Sequence, residues 1–136
     1  MADDVKRVAI AVVEQSGCYL VGTRKAGEVL AGFAEFPGGK CLSDEEASAC
    51  AIRECREETG VNVSALRRLY ACRHAYEHAS LELEFWLCRP EVAQDVAKPV
   101  DNGFQWLPAQ ALKSLHFPAA NEPVIQLLTA TSCSVG

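Results

Sequence analysis

The sequence predicts a single α/β domain. A chain of 136 residues has the length of one domain. Apolar stretches typical of strands occur in both halves of the chain, and a stretch with helical spacing lies between them. No repeat, low-complexity tract or linker-like segment divides residues 1–136, so we expect one domain over the whole chain.

The chain begins with a predicted hairpin. Val5 to Val13 is apolar enough for a buried strand, Gln15-Ser16-Gly17 is a turn signal, and Cys18 to Gly22 predicts a second strand. Residues 25–35 show little periodicity and predict a surface loop. The next stretch, Phe36-Pro37-Gly38-Gly39, predicts a sharp break in the backbone, because proline fixes φ and glycine permits positive φ.

A helix is predicted from about Ser43 to Gly60. Ser43 and Glu46 have the spacing of a capping box, and the acidic residues of the first turn suit the positive end of the helix dipole. Gly60 is favourable just after the last helical residue, because glycine adopts the left-handed conformation at little cost.

The second half of the chain predicts three more strands and two helices. The strand-like stretches are Val61 to Arg73, Ser80 to Arg89 and Phe104 to Leu107. A short helical segment is predicted from Pro108 to Leu115. Asn121 is predicted to cap a last helix that ends near residue 129.

Charge and composition limit the partners of the chain. The net charge of −5 gives no general attraction for polyanions, so we expect a small anionic ligand rather than long nucleic acid. No apolar run is long enough to span a bilayer, and the acidic start Met1-Ala2-Asp3-Asp4 lacks the layout of a signal peptide. We therefore expect a cytoplasmic protein without membrane contact, as a monomer or weak dimer.

Cysteines are numerous, at positions 18, 41, 50, 55, 72, 88 and 133. Their number is odd and none forms a Cys-x-x-Cys pair, which predicts free thiols in a reducing compartment. The closest His/Cys grouping along the sequence is Cys72 with His74, and structural zinc needs more ligands than these two. We expect the cysteines to serve as small, semi-buried apolar side chains.

Three carboxylates in the predicted helix carry the main functional signal. Glu54, Glu57 and Glu58 stand at i, i+3 and i+4, so they share one helix face. Like charges at this spacing destabilise a helix by roughly a few tenths of a kcal/mol per pair. A hard divalent cation such as Mg²⁺ offsets this repulsion, and such a centre suits phosphoryl transfer. For the triplet taken alone, a solvated acidic face is the alternative.

The residues around this triplet match a longer motif. Gly39, five residues, Glu45, seven residues and Arg53-Glu54-Cys55-Arg56-Glu57-Glu58-Thr59-Gly60-Val61 resemble the Nudix box, G-x5-E-x7-R-E-U-x-E-E-x-G-U, where U is a bulky apolar residue. Every fixed position is filled, and the one soft departure is Cys55, which is smaller than the usual Leu or Ile. The resemblance implies a Nudix-type α/β/α sandwich around a mixed β-sheet, with the box at residues 39–61 and Glu45 as a supporting group.

The resemblance also implies the metal-binding and catalytic residues. In Nudix proteins the carboxylates that match Glu54, Glu57 and Glu58 bind divalent metal ions, often together with the backbone carbonyl at the position of Gly38. The arginine that matches Arg53 orients a neighbouring carboxylate through a charge-assisted hydrogen bond. We therefore expect Gly38, Glu54, Glu57 and Glu58 to hold the metal, and Glu54, Glu57 and Arg53 to carry catalysis.

Two stretches outside the box resemble the MutT branch of this family, which removes oxidised guanine nucleotides. Residues 34–40, Ala-Glu-Phe-Pro-Gly-Gly-Lys, lead into the box as in that branch. Residues 117–125, Phe-Pro-Ala-Ala-Asn-Glu-Pro-Val-Ile, are similar to its F-P-x-A-N-E-P-V-I segment. The Asn of that segment hydrogen-bonds the edge of 8-oxoguanine in MutT proteins, so Asn121 is the matching candidate here. A plain helix N-cap is the alternative role of Asn121.

Three further residues are candidates for substrate binding. Phe36 is a candidate wall of the base pocket, with ordinary core packing as the alternative. Thr23-Arg24-Lys25 resembles the T-R-R of MutT proteins, whose basic residues approach the phosphates of the nucleotide. Arg24 and Lys25 are therefore the candidates for phosphate binding, and solvated surface charge is the alternative for both.

The chain departs from the MutT pattern at two places. That branch has a further glutamate before the tryptophan that matches Trp106, where the ungapped match places Val100, with Asp101 beside it as a shorter candidate for the general base. The arginine that contacts the nucleotide from a central strand is also unmatched, since Ala79 stands near its place, next to His78. These departures leave the catalytic base and the exact purine open.

Taken together, the residues and the resemblance predict a Mg²⁺-dependent nucleoside triphosphate pyrophosphohydrolase, with Mn²⁺ as the alternative metal. The implied reaction converts 8-oxo-dGTP to 8-oxo-dGMP and pyrophosphate, which is a step of nucleotide-pool sanitation. One alternative is a Nudix hydrolase of another nucleotide, such as a pyrimidine triphosphate or a sugar nucleotide. The other is a Nudix-fold binding module without turnover, although such modules usually lose box carboxylates and none is lost here.

Overall fold

The computed structural model describes residues 4–75 and 79–133, so residues 1–3 of the acidic start and His78 lie outside the described residues. Its strands are β1 (Asp4–Gln15), β2 (Cys18–Thr23), β3 (Ala34–Glu35), β4 (Gly38–Lys40), β5 (Val63–Ala75), β6 (Ala79–Pro90) and β7 (Gln105–Pro108). The helices are α1 (Ala47–Thr59), α2 (Ala109–Leu112) and α3 (Glu122–Cys133), with 3₁₀ turns at Asp101–Gly103 and Ala119–Asn121. Among the described residues, no helix has both the length and the apolar character needed to cross a bilayer.

One mixed sheet connects the strands. Its order is β3-β2-β1-β6-β5, and β4 and β7 are added by pairing with β1 and β2. β1 runs parallel to β6, from Asp4 opposite Ala79 to Val13 opposite Cys88. All other pairs are antiparallel within the described residues. The mixed sheet that the family resemblance implies is therefore confirmed.

The two faces of β1 explain why helices cover both sides of the sheet. Ala9, Ala11 and Val13 pack in one core cluster with residues of α1. Val12 packs in a second cluster, with Val124 of α3. Because successive side chains of a strand point to opposite faces, the sheet lies between α1 and the layer formed by α2 and α3. This arrangement confirms the α/β/α sandwich.

The start of the box helix differs from the predicted one. α1 begins at Ala47, and Glu46 precedes it without a side-chain capping bond, so both the start near Ser43 and the capping box are wrong. The residues before Ala47 form a turn instead, in which Glu45 Oε1 accepts a hydrogen bond from the backbone N–H of Leu42 at 3.0 Å. The carboxylate that closes this turn is therefore that of Glu45.

Two turns lie where the sequence predicts them. Gly60 has φ 78° and ends α1, with its N–H donating to the carbonyl of Arg56 at 2.9 Å. Ser16 and Gly17 have φ 54° and 77° and form the two-residue connection between β1 and β2. Glycine is favourable at both turns because it has no Cβ to clash in the left-handed conformation.

In the Phe36-Pro37-Gly38-Gly39 stretch the backbone bends at Pro37, between β3 and β4, where its composition predicts a break. Gly38 and Gly39 belong to β4, which pairs with β1, and neither has a positive φ. Both glycines permit a close approach instead. A Cβ on Gly38 would lie 2.6 Å from the carbonyl oxygen of Ala9, and a Cβ on Gly39 would overlap the carboxylate of Glu54. The motif glycine is therefore required by its contact with the box helix.

Six cysteines are free thiols, as predicted: Cys18, Cys41, Cys50, Cys55, Cys72 and Cys88. Cys50, Cys55 and Cys88 are completely buried. Burial raises the pKa of the Cys55 thiol to about 11 and that of Cys88 to about 12, so both remain neutral. A neutral thiol packs as a small apolar side chain, which explains how Cys55 fills the bulky apolar position of the motif.

Candidate active site

Arg53 ties the turn before α1 to the carboxylates on the helix. Its Nε and Nη2 donate to the two carboxylate oxygens of Glu45 at 2.8 and 2.9 Å. Its Nη1 donates to Glu54 at 3.0 Å and to Glu57 at 3.1 Å, and its Nη2 donates to the carbonyl of Lys40 at 3.0 Å. The planar guanidinium suits such a set of acceptors, since its donors lie in fixed directions. The arginine that is predicted to orient one carboxylate thus contacts two of the triplet.

This network keeps its charges ionised. The hydrogen bonds from Arg53, and then the one from the backbone of Leu42, lower the pKa of Glu45 to about 2. Hydrogen bonds to Glu45 and then to Glu57 raise the pKa of Arg53 above its usual value. Because Arg53 occupies both oxygens of Glu45, Glu45 supports the arginine, in line with its implied role.

Glu58 lies in a different electrostatic environment. Burial, followed by repulsion from Glu35 and Glu54, raises its pKa to about 8, although the backbone N–H of Gly38 donates a hydrogen bond to it. None of the ion pairs among the described residues involves Glu58. Without a cation beside it, Glu58 is therefore mostly protonated at neutral pH, whereas Arg53 pairs with Glu54 and Glu57.

The donor set on this face fits a hard divalent cation. Glu54, Glu57 and Glu58 supply carboxylate oxygens from one face of α1, and Gly38 of β4 lies against Glu58. All of these groups offer oxygen ligands, which Mg²⁺ and Mn²⁺ prefer. A positive ion beside Glu58 would oppose the burial and the repulsion that raise its pKa, and would favour the ionised form.

We expect the metal-free protein to lose stability as the pH rises. The pKa of Glu58 is about 8 in the folded chain against 4.5 as the reference value. Because the folded state binds this proton more tightly, the stabilisation is complete below the reference pKa and is lost as the pH rises through the folded one. The expected loss between about pH 5 and about pH 8 is roughly 1–2 kcal/mol, reduced by the partial exposure of the group.

Urea unfolding at these two pH values, with a chelator present, measures this loss. Glu58→Gln should flatten the difference, and the matched variant Glu46→Gln should leave it unchanged, since Glu46 lies exposed before α1. An equal pH dependence in wild type and Glu58→Gln would contradict the assignment of the titration to Glu58.

A cleft of about 520 Å³ opens beside the carboxylate face. It brings the predicted Arg24 and Lys25, at the end of β2, to the same cavity as Gly38, Glu57 and Glu58. The cavity therefore has both a cationic and an anionic wall. The other lining residues are Thr23, Ala26, Glu28, Glu35, Asn102 and Phe104.

Glu35 is a cleft residue that the motifs did not single out. Its Oε1 accepts a hydrogen bond from Arg24 Nη1 at 3.2 Å, while Arg24 Nε donates to the carbonyl of Val29 at 2.6 Å. Burial raises the pKa of Glu35, and Arg24 opposes this shift. The apolar-polar-apolar order of Ala34, Glu35 and Phe36 is the sequence signal that the side chain of Glu35 points away from the side on which its two neighbours lie. However, β3 is too short for that alternation to predict a strand.

Phe36 and Asn121 are not among the residues that line this cleft. Phe36 is 3% exposed and its ring stacks on that of Phe117, with centroids 5.0 Å apart, so it lies where a core residue lies. Asn121 is half-buried in the 3₁₀ turn before α3, and its Nδ2 donates to the carbonyl of Pro118 at 3.2 Å. Neither candidate therefore lines the cleft together with Arg24 and Lys25.

β3 connects the two regions. The N–H of Ala34 donates to the carbonyl of His116 at 2.8 Å, and the ring of Phe33 stacks on that of His116 at 4.7 Å. The segment that leads to Asn121 is therefore packed along β3. Ala34 and Phe36 belong to the core, and Glu35 between them lines the cleft.

Asp101, the candidate for the general base, does not line the cleft beside the carboxylate face in the described structure. It is exposed and lines a separate cavity at the end of α1, where its Oδ2 would lie 3.6 Å from a Cβ on Gly60. The next residue, Asn102, has φ 60° and lines the cleft beside the carboxylate face, where its side-chain amide donates to the backbone carbonyl of Glu58. This turn thus presents an amide to that cleft.

The fold and the carboxylate face define a class of protein. The NUDIX domain model matches residues 8–127, so the chain belongs to the Nudix family, and it is a Nudix hydrolase. Enzymes of this family generally use divalent metal ions. Within the family, its similarities lie with the MutT branch.

Three comparisons illustrate the relatives of this chain. An 8-oxo-dGTP diphosphatase of Escherichia coli (strain K12) is 28% identical over 123 residues, which covers 90% of this chain and 95% of that protein. A CTP pyrophosphohydrolase of the same organism is 39% identical over 57 residues, 42% of each chain. A solved structure described for MutT of Aliivibrio salmonicida and Vibrio cholerae aligns with a TM-score of 0.73 and 25% identity, over 92% of this chain and 96% of that one.

Proposed function

We propose that this chain is a Mg²⁺-dependent nucleoside triphosphate pyrophosphohydrolase whose substrate is 8-oxo-dGTP. The observation that carries the proposal is the cleft beside α1, where Gly38, Glu57 and Glu58 meet Arg24 and Lys25. A triphosphate bound with a divalent cation presents both negative and positive charge. A cavity with one anionic and one cationic wall complements both.

Gly38, Glu54, Glu57 and Glu58 are the residues proposed to hold the metal. Bound there, Mg²⁺, or Mn²⁺ in its place, would neutralise phosphate charge and lower the pKa of an attacking water. Arg53 orients Glu54 and Glu57 through hydrogen bonds of 3.0 and 3.1 Å. Glu54, Glu57 and Arg53 are accordingly the proposed catalytic set.

The proposed hydrolysis consumes one water molecule. The water oxygen attacks the β-phosphorus, the bond from that phosphorus to the oxygen of the α-phosphate breaks, and the nucleoside monophosphate leaves. The water oxygen ends in pyrophosphate. A carboxylate of the group Glu54, Glu57 and Glu58 accepts the proton from the water. Arg24 and Lys25 bind the phosphates, and Glu35 holds Arg24 in place through its bond at 3.2 Å.

Asn121 is the proposed reader of the base. Guanine presents two acceptors, N7 and O6, along one edge. Oxidation at C8 places a hydrogen on N7, so the edge of 8-oxoguanine presents a donor beside an acceptor. A side-chain amide has one of each and can match this edge, whereas guanine leaves the amide oxygen facing another acceptor. The proposal is also supported by the similarity of residues 117–125 to the MutT segment, and by the printed activity of the 8-oxo-dGTP diphosphatase relative.

Phe36 contributes to this subsite by packing. Its ring stacks on Phe117, which belongs to the segment that carries Asn121. The bond from Asn121 Nδ2 to the carbonyl of Pro118 further restrains the amide. We therefore propose that Phe36 supports the position of the base-reading residue from inside the core.

The substrate proposal predicts selective release of pyrophosphate from 8-oxo-dGTP by purified protein with Mg²⁺. Equal kcat/KM for 8-oxo-dGTP and dGTP would overturn this substrate. Asn121→Ala should lower the ratio of the two kcat/KM values about 10-fold, since losing a buried hydrogen-bond partner costs roughly 1–3 kcal/mol.

Asn62→Ala is the matched control for that substitution. Asn62 is exposed in the loop between α1 and β5, so the same chemical change there should leave the ratio unaltered. A ratio that is unchanged by Asn121→Ala would favour a different nucleotide substrate.

A second candidate substrate is a pyrimidine triphosphate. The similarity to a CTP pyrophosphohydrolase is higher in identity than that to the 8-oxo-dGTP diphosphatase, although it covers 42% of this chain. Assaying CTP in the same panel separates the two proposals by their relative kcat/KM. Turnover that rises with added Mg²⁺ would exclude a binding module without catalysis.

The cellular setting follows from the proposed substrate. Free nucleotides are small anions of the cytoplasm, and an acidic chain of net charge −5 does not favour long nucleic acid. We therefore propose a cytoplasmic role in nucleotide-pool sanitation, carried out by one Nudix domain over residues 1–136 as a monomer or weak dimer.

A further inference from the structure

Beside the carboxylate face, the structure brings together three side chains that are able to bind a softer metal. The sulfur of Cys41, a carboxylate oxygen of Glu45 and the sulfur of Cys50 all lie within 4.8 Å of one another. Cys41 follows β4, Glu45 lies in the turn before α1, and Cys50 is in the first turn of α1. The cluster forms because this loop folds back on the helix.

The other soft pair, Cys72 and His74, is less complete. Their Sγ and Nε2 atoms are 3.9 Å apart on β5. Within the part of the chain that the structure describes, no third His, Cys, Asp or Glu joins them. The two side chains are thus close in space as well as along the sequence, but without a third ligand among the described residues, and the pair serves as a control.

Hydrogen bonds hold the three-residue cluster in place. The N–H of Cys41 donates to the carbonyl of Arg7 at 2.8 Å, and Arg7 Nη2 donates to the carbonyl of Glu45 at 2.6 Å. The sulfur of Cys50 donates to the carbonyl of Gly39 at 3.5 Å. One arginine of β1 thus anchors the backbone of two of the ligands, while the third is fixed on the helix. Such support around a site reduces the rearrangement needed for binding.

We propose that Cys41, Glu45 and Cys50 bind a thiophilic divalent cation such as Zn²⁺ at a site separate from the carboxylate face. Zn²⁺ accepts thiolate and carboxylate ligands in tetrahedral sites, and three protein ligands leave the fourth position to water. Each thiol gives up its proton on binding. Mg²⁺ prefers oxygen ligands and does not compete for the two sulfurs.

Glu45 connects this second site to the first one. Both of its carboxylate oxygens accept hydrogen bonds from Arg53, whose Nη2 is also 4.0 Å from the sulfur of Cys50. A divalent ion and two thiolates are together neutral, so the ion acts by competing with Arg53 for the carboxylate. Arg53 is then less firmly placed to orient Glu54 and Glu57. We therefore expect Zn²⁺ to lower turnover. This effect on turnover rests on the proposed function, whereas the binding of Zn²⁺ is independent of it.

Co²⁺ is the spectroscopic probe for the site. We expect one equivalent of Co²⁺, added to the reduced full chain in excess Mg²⁺, to produce a sulfur-to-cobalt charge-transfer band in the near ultraviolet. Zn²⁺ should displace the Co²⁺ and abolish the band. Cys41→Ser and Cys50→Ser should each greatly reduce the band, and the matched variant Cys72→Ser should keep it.

Three results would overturn the site. The first is the absence of the band in the wild type. The second is a band of undiminished intensity in both single variants, Cys41→Ser and Cys50→Ser. The third is loss of the band in Cys72→Ser. Cys50 is completely buried, whereas Cys41 is half-buried. Should Cys50→Ser fail to fold, Cys41→Ser alone decides, and far-ultraviolet circular dichroism confirms that the variant is folded.

Turnover tests the connection through Glu45. With excess Mg²⁺, one equivalent of Zn²⁺ should lower wild-type kcat about 10-fold. This is the smaller end of the change usually seen when a group that orients metal ligands is disturbed. Cys41→Ser should resist the same addition. Equal inhibition of both proteins would place the inhibitory ion at the carboxylate face and overturn the connection. The absorption band decides the site independently of whether any nucleotide is hydrolysed.

Discussion

Glu57→Gln should abolish turnover and leave the fold intact. Glu57 lines the cleft, its side chain is 56% exposed, and its contact with the chain is a bond to Arg53 at 3.1 Å. Removing its charge takes away a proposed metal ligand and a candidate proton acceptor while the amide preserves the shape. The expected loss in kcat is about 10²–10⁴-fold, the usual range for general acid–base groups.

Glu46→Gln is the control for this substitution. It makes the same chemical change in an exposed residue just before α1, outside the lining of the cleft. We expect wild-type kcat for the control and similar melting temperatures for both variants. A Glu57→Gln protein with wild-type turnover would contradict the proposed metal site.

Gly39→Ala should mainly reduce activity, and Gly38→Ala should mainly reduce stability. A Cβ on Gly39 would overlap the carboxylate of Glu54, which is the far end of a flexible side chain and can move. A Cβ on Gly38 would lie 2.6 Å from the carbonyl oxygen of Ala9 and 2.9 Å from the Cα of Ile10, which are backbone atoms of β1. One substitution therefore displaces a proposed ligand, and the other forces two strands apart.

The expected results differ in activity and stability. Gly39→Ala should lower kcat about 10–100-fold, as expected when the position of a metal ligand is disturbed, with little change in melting temperature. Gly38→Ala should cost about 1–3 kcal/mol of stability, the usual range for overpacking. Steady-state kinetics and urea unfolding of the two variants measure this contrast. Wild-type turnover in Gly39→Ala would show that Glu54 does not need its present position.

Much of the fold follows from local patterns. The strands β1, β2, β5 and β6 and the end of α1 at Gly60 lie close to their predicted positions. The start of α1 does not, because the capping pattern of residues 43–46 competes with a contact outside it: Arg53 and the backbone of Leu42 hold Glu45 in a turn. β4 was also missed, since proline and glycine obscure a short strand whose glycines are needed for close packing.

Residues of the cleft show that local sequence patterns also fail to predict some side-chain orientations. Arg24 and Lys25 lie in the same cavity as Glu57 and Glu58. The placement of Glu35 and Asn102 there, and of Asp101 in a separate cavity, depends on the orientation of a two-residue strand and of a turn at φ 60°. Short elements carry too few residues for a periodic pattern, so sequence alone does not orient their side chains.

The sequence by itself determined the carboxylate face of α1, because the spacing of Glu54, Glu57 and Glu58 along a helix places them on one face in any fold that keeps the helix. Only the tertiary structure decided which groups meet that face and which lie beside it. The meeting of Cys41 and Cys50 depends on a loop returning to α1. Contacts between separated segments are set by strand pairing and packing, which local spacing does not encode.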